Sequence, residues 1–549
     1  MRNRNIASAL EVYAVAGTHT AVLSFDFKAK PPHFLGFAIE RKDEATGVRH
    51  WLEGQKCFRS LIPDPVKGQK YPTHLHPIQS FMWKDFTLTP GQTYTFKVTP
   101  VNGTPSQLAY GAPTEVRVTA EKEWNGKQGV YFNSGVAGSQ SYAEHFPPGK
   151  ISAMDPVTRE SALRWLSHGL FEGLKAYIEA AKPGEFLYGA FYEFHEPRTL
   201  LLLKAAATRG VKVALVIDGK QYQADNNAAV AAAGIDNLVK ARRTNAKIPH
   251  NKFLVHCSKA GKAVRVWTGS TNISEKGIFG QCNTGHMVKN AALASRYLAF
   301  WKVLQTDPKH EDLTPAVMAL QPDLDPARLP DNAVTAFFSP RSSTQMLDCY
   351  AQLVAGATSM ACGIFPFNID QRFRTAFDQD KDFPRYIIVD KANNEFKPND
   401  RDLDIAAGSY IKTNPVDQWV REQSSASLFY SGTDFVHNKL LIVDPLGAQP
   451  RIVVGSANFS ESSTTENDEN LLVLKGPAFR READIYLTEF IRLFDHFNFR
   501  EWLSSPAADF QPFLEEGPAP DGRQWVDKYF DSPVFLSFKR KMAFKNMVI

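Results

Sequence analysis

Residues 250–257 read His-Asn-Lys-Phe-Leu-Val-His-Cys, and residues 437–444 read His-Asn-Lys-Leu-Leu-Ile-Val-Asp. A Gly-Ser-x-Asn stretch follows each of them, at residues 269–272 and 455–458. The two histidines and the two glycines are separated by nearly the same number of residues. Two copies with such similar spacing indicate a duplicated unit, and the short apolar runs inside them are typical of strands.

The sequence around both motifs alternates between strand-like and helix-like patterns, which indicates α/β architecture. Residues 211–218 are nearly continuous in apolar residues, as strands of a parallel sheet are. A single helix is predicted over residues 161–181, where apolar residues recur at helical spacing. We therefore predict two α/β halves, at residues 123–325 and 326–500.

Residues 1–122 lack a helical period and are predicted to be all-β, because short alternating runs are separated by Pro and Gly clusters. Within them, Leu88-Thr-Pro-Gly-Gln-Thr-Tyr94 resembles the tyrosine corner of fibronectin type III domains, in which the Tyr hydroxyl bonds to upstream backbone. The resemblance implies a fibronectin type III-like β-sandwich, and another small sandwich is the alternative. Residues 501–549 are predicted to be an extension that packs on the α/β domain.

The composition is that of an ordinary globular protein of 549 residues, with 43% hydrophobic residues, 22% charged residues and a net charge of +5. A chain of this length exceeds one hydrophobic core, and its small net charge allows but does not require an anionic partner. The five cysteines form no CxxC pair, which argues against a disulfide framework or a zinc site. No apolar run reaches the ~18 residues of a membrane span, and Glu11 interrupts the stretch that a secretory signal would need. We therefore predict a cytoplasmic protein.

The repeated motif places reactive side chains together, because residues i and i+2 of a strand share a face. His250 projects beside Lys252, and His437 beside Lys439. The hydroxyls and amides that the Gly-Ser-x-Asn stretches present nearby belong to Ser270, Asn272, Ser456 and Asn458. If the halves meet, this set suits phosphoryl transfer without a metal or another cofactor. One neutral His would attack phosphorus while the other donates a proton, and the Lys and Asn donors would stabilise the charged oxygens.

These residues resemble the HxKxxxxD and GSxN motifs of the phospholipase D superfamily. The copy at residues 437–458 matches fully, Asp444 included, and Asn467-Asp-Glu-Asn470 resembles a stretch of the family's small nuclease-like branch. The resemblance covers roughly residues 128–500. It implies two pseudo-symmetric phospholipase D-like α/β halves that share one active site, and because both halves are in one chain we expect a monomer.

The copy at residues 250–272 departs from the family pattern, because Cys257 stands where the family has aspartate. Gly285 falls near the place that corresponds to Glu469 in the other copy. Position i+7 faces away from the His and Lys on a straight strand. We therefore interpret Asp444 and Cys257 as supports on the core face, with Cys257 as a small apolar filler. A reactive thiol at Cys257 is the alternative.

In family members the acidic residue after GSxN hydrogen-bonds the catalytic His of the opposite half. The resemblance therefore implies that Glu469 orients His250, with His250 as the nucleophile and His437 as the general acid. Without an equivalent carboxylate, His437 would depend on one of three nearby residues, which are Gln281, Asn283 and His286. The opposite assignment of the two histidines remains open.

The resemblance implies a phosphodiester hydrolase or transferase that works through a phosphohistidine intermediate, on either a phospholipid or a nucleic acid. The near-neutral charge favours a phospholipid. Residues 538–545 mix basic and apolar side chains, which suits a peripheral contact with an anionic membrane surface. A metal-independent nuclease of the same superfamily and a non-catalytic binding scaffold are the alternatives.

Overall fold

The structure is a computed structural model of the 549-residue chain. The described residues are 1–66, 68–135, 142, 145–147, 149–390, 401–408, 436–504, 511–531 and 533–549, with the backbone alone described at 500–504. Within these ranges no helix combines the length and the apolar character needed to cross a membrane.

Two antiparallel sheets form the N-terminal region. The first contains, in spatial order, β1 (Arg2–Asn5), β2 (Leu10–Ala16), β3 (Ala21–Phe27) and β8 (Met82–Asp85). The second contains β10 (Gln107–Tyr110), β9 (Thr93–Thr104), β4 (Phe34–Asp43) and β5 (Arg49–Trp51), and β11 (Thr114–Thr119) also pairs with β9. A separate ribbon joins β6 (Glu53–Gly54) to β7 (Tyr71–Pro72). The prediction of an all-β N-terminal region is confirmed.

Tyr94 makes the contact that its sequence context predicts. Its side chain is buried, and its hydroxyl accepts a hydrogen bond from the backbone N–H of Thr89 at 2.9 Å. Such a bond to upstream backbone is the mark of a tyrosine corner. The fibronectin type III identity of the sandwich stays a prediction.

Two seven-stranded sheets follow, and they have the same strand order. The first contains β12 (Gln128–Phe132), β18 (Thr284–Val288), β17 (Ala263–Gly269), β16 (Lys252–Cys257), β13 (Phe186–Phe191), β14 (Lys212–Asp218) and β15 (Val239–Arg243). The second contains β19 (Ala333–Ser339), β25 (Glu469–Lys475), β24 (Arg451–Gly455), β23 (Leu440–Val443), β20 (Ala361–Phe365), β21 (Arg385–Val389) and β22 (Leu403–Ala407). In each sheet the last three strands run parallel and the other pairs run antiparallel. This matching order supports the duplication inferred from the repeated motif.

Helices connect and cover these strands. Those of the first half are α1 (Pro156–Ser167), α2 (Leu170–Glu179), α3 (Pro197–Thr208), α4 (Gln223–Ala233), α5 (Ala291–Leu304) and α6 (His310–Leu320). Later in the chain come α7 (Gln345–Ala355), α8 (Gln371–Phe377), α9 (Glu461–Thr465), α10 (Arg480–Ser504) and α11 (Leu536–Lys545). The single helix predicted over residues 161–181 is wrong, because His168 and Gly169 have left-handed φ angles of 49° and 96° that separate α1 from α2.

One hydrophobic core is shared by both α/β halves. It includes Val255 of β16 and Ile442 of β23, together with Phe300 of α5 and Phe490 of α10. Helix α5 contacts strands of both sheets, and α10 contacts β12 as well as β21, β22 and β23. The two helices therefore pack between the sheets and fix one half against the other.

The C-terminal residues pack on two parts of the molecule. Trp525 lies in the core of the N-terminal sandwich, and its Nε1 donates to the carbonyl of Phe34 at 3.0 Å. In α11, Lys541 pairs with Asp26 of β3 at 2.7 Å, and Arg540 pairs with Asp404 of β22 at 2.6 Å. The extension therefore contacts the sandwich as well as the α/β region on which it was predicted to pack.

The basic side chains of α11 are engaged within the chain. Lys539 pairs with Asp402, and Lys545 pairs with Asp26 at 2.6 Å. The basic side chains that suggested a contact with an anionic membrane are therefore paired with carboxylates of the same chain. Contact with a membrane stays a prediction.

Candidate active site

The two His-x-Lys motifs lie where the α/β halves meet. Strand β16 begins at Lys252, and β23 begins directly after Lys439. The ring centroids of His250 and His437 are 6.3 Å apart, and the rings are inclined at 70°. The duplicated motif therefore forms one site from two distant segments of the chain.

Glu469, the first residue of β25, holds His250 from the opposite half. Its two carboxylate oxygens lie 2.9 and 3.0 Å from Nδ1 of His250. Because a carboxylate only accepts, the neutral ring carries its proton on Nδ1, and the lone pair is on Nε2. The geometry agrees with the orienting role that the resemblance implies for Glu469.

Asn283 holds His437 in a comparable way. Its Oδ1 lies 2.9 Å from Nδ1 of His437, while its Nδ2 donates to the carbonyl of Gly277 at 2.7 Å. That second bond fixes the direction of the amide, so Oδ1 must accept from a protonated Nδ1. The lone pair of a neutral His437 is therefore also on Nε2. Of the other candidates, His286 instead contacts Tyr486 and Gln128.

The strand register shows which residues of the two halves correspond. The backbone N–H of the motif serine donates to the carbonyl of Thr284 in the first half and of Asn470 in the second, at 3.0 and 2.9 Å. Asn283 directly precedes Thr284, and Glu469 directly precedes Asn470. The sequence-based alignment of Gly285 with Glu469 is wrong, and the counterpart of the carboxylate is the amide of Asn283.

Both motif lysines are buried and bend back to their own histidines. Lys252 Nζ donates to the carbonyl of His250 at 2.5 Å, and Lys439 Nζ to that of His437 at 2.6 Å. Burial lowers the pKa of Lys252 to about 7. Burial and the neighbouring Lys252 hold the pKa of Lys439 well below its ordinary value. The site thus concentrates cationic groups in a place where water stabilises them poorly.

The same desolvation acts on the histidines and their carboxylate. Burial, together with Lys252 and Lys439, holds the pKa of His250 and of His437 well below the ordinary value. Burial raises the pKa of Glu469 to about 7. Near neutral pH both imidazoles are therefore uncharged, which is the form that a nucleophile or a general base requires.

The Gly-Ser-x-Asn residues surround the histidines with polar groups. Ser270 Oγ donates to Oδ1 of Asn283 at 2.8 Å, and Ser456 Oγ to the carbonyl of Asn470 at 3.3 Å. In the described part of the chain, Oδ1 of Asn272 and Oδ1 of Asn458 are buried without a hydrogen-bond partner. Since buried polar atoms are nearly always paired, these two acceptor oxygens indicate a missing donor, such as water or a hydroxyl of a substrate.

The Asn inside each His-Asn-Lys motif was missed as a site residue. Asn251 Oδ1 accepts from Nδ2 of Asn470 at 2.8 Å, and Asn438 Oδ1 accepts from the hydroxyl of Thr284 at 3.0 Å. Each bond joins one half to the other. The repetition of Asn between His and Lys was the available signal for this role.

Asp444 and Cys257 lie at corresponding strand ends but have different surroundings. Asp444 Oδ1 accepts from the backbone N–H groups of Thr358 and Ser359 at 2.8 and 2.7 Å, and Oδ2 pairs with Arg451 at 2.9 Å. Cys257 is fully buried in the shared core, and burial raises the pKa of its thiol to about 11. A thiol in that state is not a nucleophile at neutral pH.

In the first half the carboxylate that is linked to the strand arginine is next to β13, whereas in the second half it belongs to Asp444 at the end of β23. Glu185, next to β13, contacts Nε2 of His256 at 2.8 Å, and Nδ1 of His256 accepts from Arg265 Nε at 3.0 Å. The strand register places Arg265 at the position of Arg451 in the second half. The bonded series Glu185, His256 and Arg265 thus replaces the Asp444–Arg451 pair of the second half. Cys257 takes no part in it and packs in the core.

Three further residues beside the histidines were not anticipated. The Tyr192 ring meets His250 edge-on at 5.1 Å between centroids, and Lys252 Nζ lies 5.2 Å from the Tyr192 centroid. Glu193 accepts a hydrogen bond from Nδ2 of Asn272, and Tyr222 lies 4.9 Å from Tyr192. These residues follow the carboxyl ends of parallel strands, the edge at which α/β sheets bind ligands. That position was the signal that could have identified them.

Residues 174–303 and 379–494 match the protein family described as "Cardiolipin synthase, PLD-like domain". These segments therefore form a phospholipase D-like domain, and the superfamily prediction is confirmed for them. No curated protein sequence matches the chain.

Several solved structures resemble the chain at low identity. The phosphatidylserine synthase of Haemophilus influenzae Rd KW20 has 15% identity and a TM-score of 0.40 over 60% of this chain and 85% of its own. The polyphosphate kinase of Porphyromonas gingivalis has 13% identity and a TM-score of 0.40 over 59% of this chain and only 45% of its own. Nuc, a phospholipase D family member from Salmonella typhimurium, has 25% identity and a TM-score of 0.22 over 25% of this chain and 87% of its own.

Proposed function

We propose that this protein cleaves or transfers a phosphodiester through a covalent phosphohistidine on His250, with His437 as the general acid and base. The observation that carries the proposal is the reciprocal support of the two rings. Glu469 and Asn283 each occupy Nδ1 of the histidine in the opposite half, so that both Nε2 atoms remain available. The ring centroids are 6.3 Å apart, which is close enough for both rings to line one phosphate-sized site.

In the first step, Nε2 of His250 attacks phosphorus and forms a P–N bond. The P–O bond to the leaving alcohol breaks, and the oxygen takes a proton from Nε2 of His437. Binding of the anionic phosphate raises the pKa of His437 and supplies the protonated form that this step needs.

In the second step, His437, now neutral, removes a proton from water or from an acceptor alcohol. The resulting oxygen attacks phosphorus, the P–N bond breaks, and His250 regains its lone pair. Water gives hydrolysis and an alcohol gives transfer, so the chemistry of both reactions is the same at this site.

The lysines and amides stabilise the negative charge on the non-bridging phosphate oxygens. Lys252 and Lys439 donate to the carbonyls of His250 and His437, and we assign a matching donor role to the side-chain N–H groups of Asn272 and Asn458. Donors that are already oriented in a desolvated site stabilise a transition state without reorganisation. We propose that these groups supply this stabilisation without a metal.

His250 is the better nucleophile because its partner carries charge. Bonding of Nε2 to phosphorus makes the ring cationic, and the carboxylate of Glu469 stabilises a cation on Nδ1–H. His437 bonds only to a neutral amide, which leaves its protonated form a stronger acid. The asymmetry between Glu469 and Asn283 therefore matches the two roles.

For the substrate we propose a phospholipid with a cationic headgroup. Glu193 puts a carboxylate beside the catalytic Asn272, and Tyr192 and Tyr222 add aromatic faces that can bind an ammonium group. A carboxylate at this place repels the phosphates that flank the scissile bond of a nucleic acid. The family match to a cardiolipin synthase-type domain points to lipid chemistry as well.

The decisive experiment offers four substrates to one preparation of the full chain. Vesicles of phosphatidylcholine and of phosphatidylglycerol, single-stranded DNA and a generic aryl phosphodiester are incubated, and released alcohol or cleaved strand is measured. We expect turnover of the aryl ester and of phosphatidylcholine, and a loss of phosphatidylcholine preference in Glu193→Gln. Cleavage of DNA alone would identify a nuclease, and absence of turnover together with absence of a phosphohistidine would identify a binding scaffold.

A further inference from the structure

His19, His168 and Glu489 form a cluster where three parts of the chain meet. His19 lies between β2 and β3 of the sandwich, His168 between α1 and α2, and Glu489 on α10. One ring nitrogen of each His and one carboxylate oxygen of Glu489 all lie within 4.8 Å of one another. None of the three residues takes part in the reaction proposed above.

Two polar atoms of this cluster have no partner within the described residues. They are Nε2 of His168 and Oε1 of Glu489, and both are buried. The side chain of Glu489 is fully inaccessible to solvent. Because buried donors and acceptors are nearly always paired, these atoms indicate a missing ligand.

The opposite ends of two of these side chains are already fixed. His19 Nδ1 lies 3.1 Å from the hydroxyl of Thr18, and Oε2 of Glu489 accepts from Arg492 Nε at 2.8 Å. Metal-binding side chains characteristically have such a second bond, which orients the ligand atom toward the ion.

Glu123 lies close enough to complete the set. Its Oε1 is 3.9 Å from Nε2 of His19. The side chain of His19 retains 17% exposure, which leaves a path for an ion to enter.

We propose that His19, His168 and Glu489 bind one divalent transition-metal ion of the Zn²⁺ type, with Glu123 or water as the fourth ligand. Two imidazoles and a carboxylate form a set that Zn²⁺ accepts in tetrahedral geometry. Mg²⁺ and Ca²⁺ are disfavoured because they require mostly oxygen ligands.

The ion would join the sandwich to the α/β halves. The loop of His19 packs so closely on α10 that a β-carbon at Gly17 would lie 2.0 Å from the hydroxyl of Thr488. A metal at this junction cross-links the loop, the break between α1 and α2, and α10. Since it binds only the assembled arrangement, it stabilises the folded chain by mass action.

The test is metal binding by the full chain after treatment with a chelator. Equilibrium dialysis measures bound Zn²⁺, and Co²⁺ replaces Zn²⁺ as a spectroscopic probe. We expect one ion per chain, a visible Co²⁺ band that one equivalent of Zn²⁺ removes, and a higher thermal unfolding temperature with Zn²⁺ but not with Mg²⁺. The five cysteines are all buried and do not compete.

Variants assign the binding to this cluster. His168→Gln and Glu489→Gln should bind Zn²⁺ at least tenfold more weakly and lose the rise in unfolding temperature, whereas His50→Ala, which changes an exposed histidine, should bind like the wild type. Absence of saturable binding in the wild type would overturn the proposal without recourse to any variant. Unchanged binding in a folded His168→Gln protein would overturn it equally.

Discussion

Asn283 occupies in the first half the position that Glu469 occupies in the second, and each accepts from Nδ1 of the histidine in the other half. The two histidine rings therefore have the same hydrogen-bond geometry and different electrostatic surroundings. Of the differences between the two halves, this one carries the proposed assignment of His250 as nucleophile and His437 as acid.

The pH dependence of activity should report this asymmetry. Burial raises the pKa of Glu469 to about 7, so its carboxylate gains a proton and loses its charge as the pH falls through that value. We expect kcat/KM on an aryl phosphodiester to fall on the acid side of about pH 7, because a neutral carboxyl cannot stabilise the cationic phosphohistidine. In Glu469→Gln the acid limb should disappear and the plateau should be at least ~100-fold lower.

Asn283→Asp is the reciprocal variant. A carboxylate beside His437 raises the pKa of that ring, which should move the alkaline limb of the kcat profile, the limb that reports His437 in the substrate complex, upward by about one pH unit. An unchanged alkaline limb in a folded Asn283→Asp protein would show that His437 is not the group that titrates there.

Trapping of the covalent intermediate should separate the two histidines. With an aryl phosphodiester, the phenolate leaves without much help from an acid, so His437→Ala should still form the phosphohistidine and accumulate it. His250→Ala should form none, and both variants should lose turnover by at least ~100-fold. Mass spectrometry of the denatured protein locates the phosphoryl group. A phosphoryl group on His437 in the His250→Ala protein would reverse the assignment.

Restoration of the family aspartate at position 257 should harm the protein. Cys257 is fully buried among apolar residues, and the carboxylate needed in this half is already provided by Glu185. Cys257→Asp should therefore lower the free energy of unfolding by at least ~3 kcal/mol, the cost of an uncompensated buried charge. Cys257→Ala should cost far less and should retain turnover. Chemical denaturation followed by circular dichroism measures both, and a stable, more active Cys257→Asp protein would contradict the prediction.

Trp525 should be essential to the N-terminal sandwich although it lies far away in sequence. Its ring packs 5.4 Å from that of Phe34 and its Nε1 bonds to the Phe34 carbonyl. Trp525→Ala should cost about 3–5 kcal/mol in the unfolding transition of the sandwich. The matched control is Phe535→Ala, because Phe535 is 49% exposed. Equal stability of the two variants would contradict the contact.

Much of the site could be predicted from the sequence because its reactive residues lie close together in a repeated motif. His250 and Lys252 are two residues apart, and strand geometry alone puts them on one face. The partner of His437 was left as one of three candidates, although the spacing singles out Asn283, which follows Gly269 at the same distance as Glu469 follows Gly455. The strand register, which depends on where β18 pairs with β17, agrees with that spacing.

Other features depend on contacts between distant segments. No local pattern relates Glu185 to the loss of an aspartate at position 257, since the link passes through two neighbouring strands. The cluster of His19, His168 and Glu489 is similarly invisible in sequence, and His168 was placed inside a helix that in fact ends there. Tertiary packing therefore determines these features more than any residue pattern.

The position of Trp525 also has a consequence for synthesis of the chain. Strands β1 to β11 are made before both α/β halves, but their core includes Trp525, Val526 and Tyr529, which are made some 400 residues later. The sandwich is therefore completed only after both halves have been made. Until then the sandwich lacks the three side chains that close its core, and exposed apolar surface of this kind makes a partly made chain prone to aggregation.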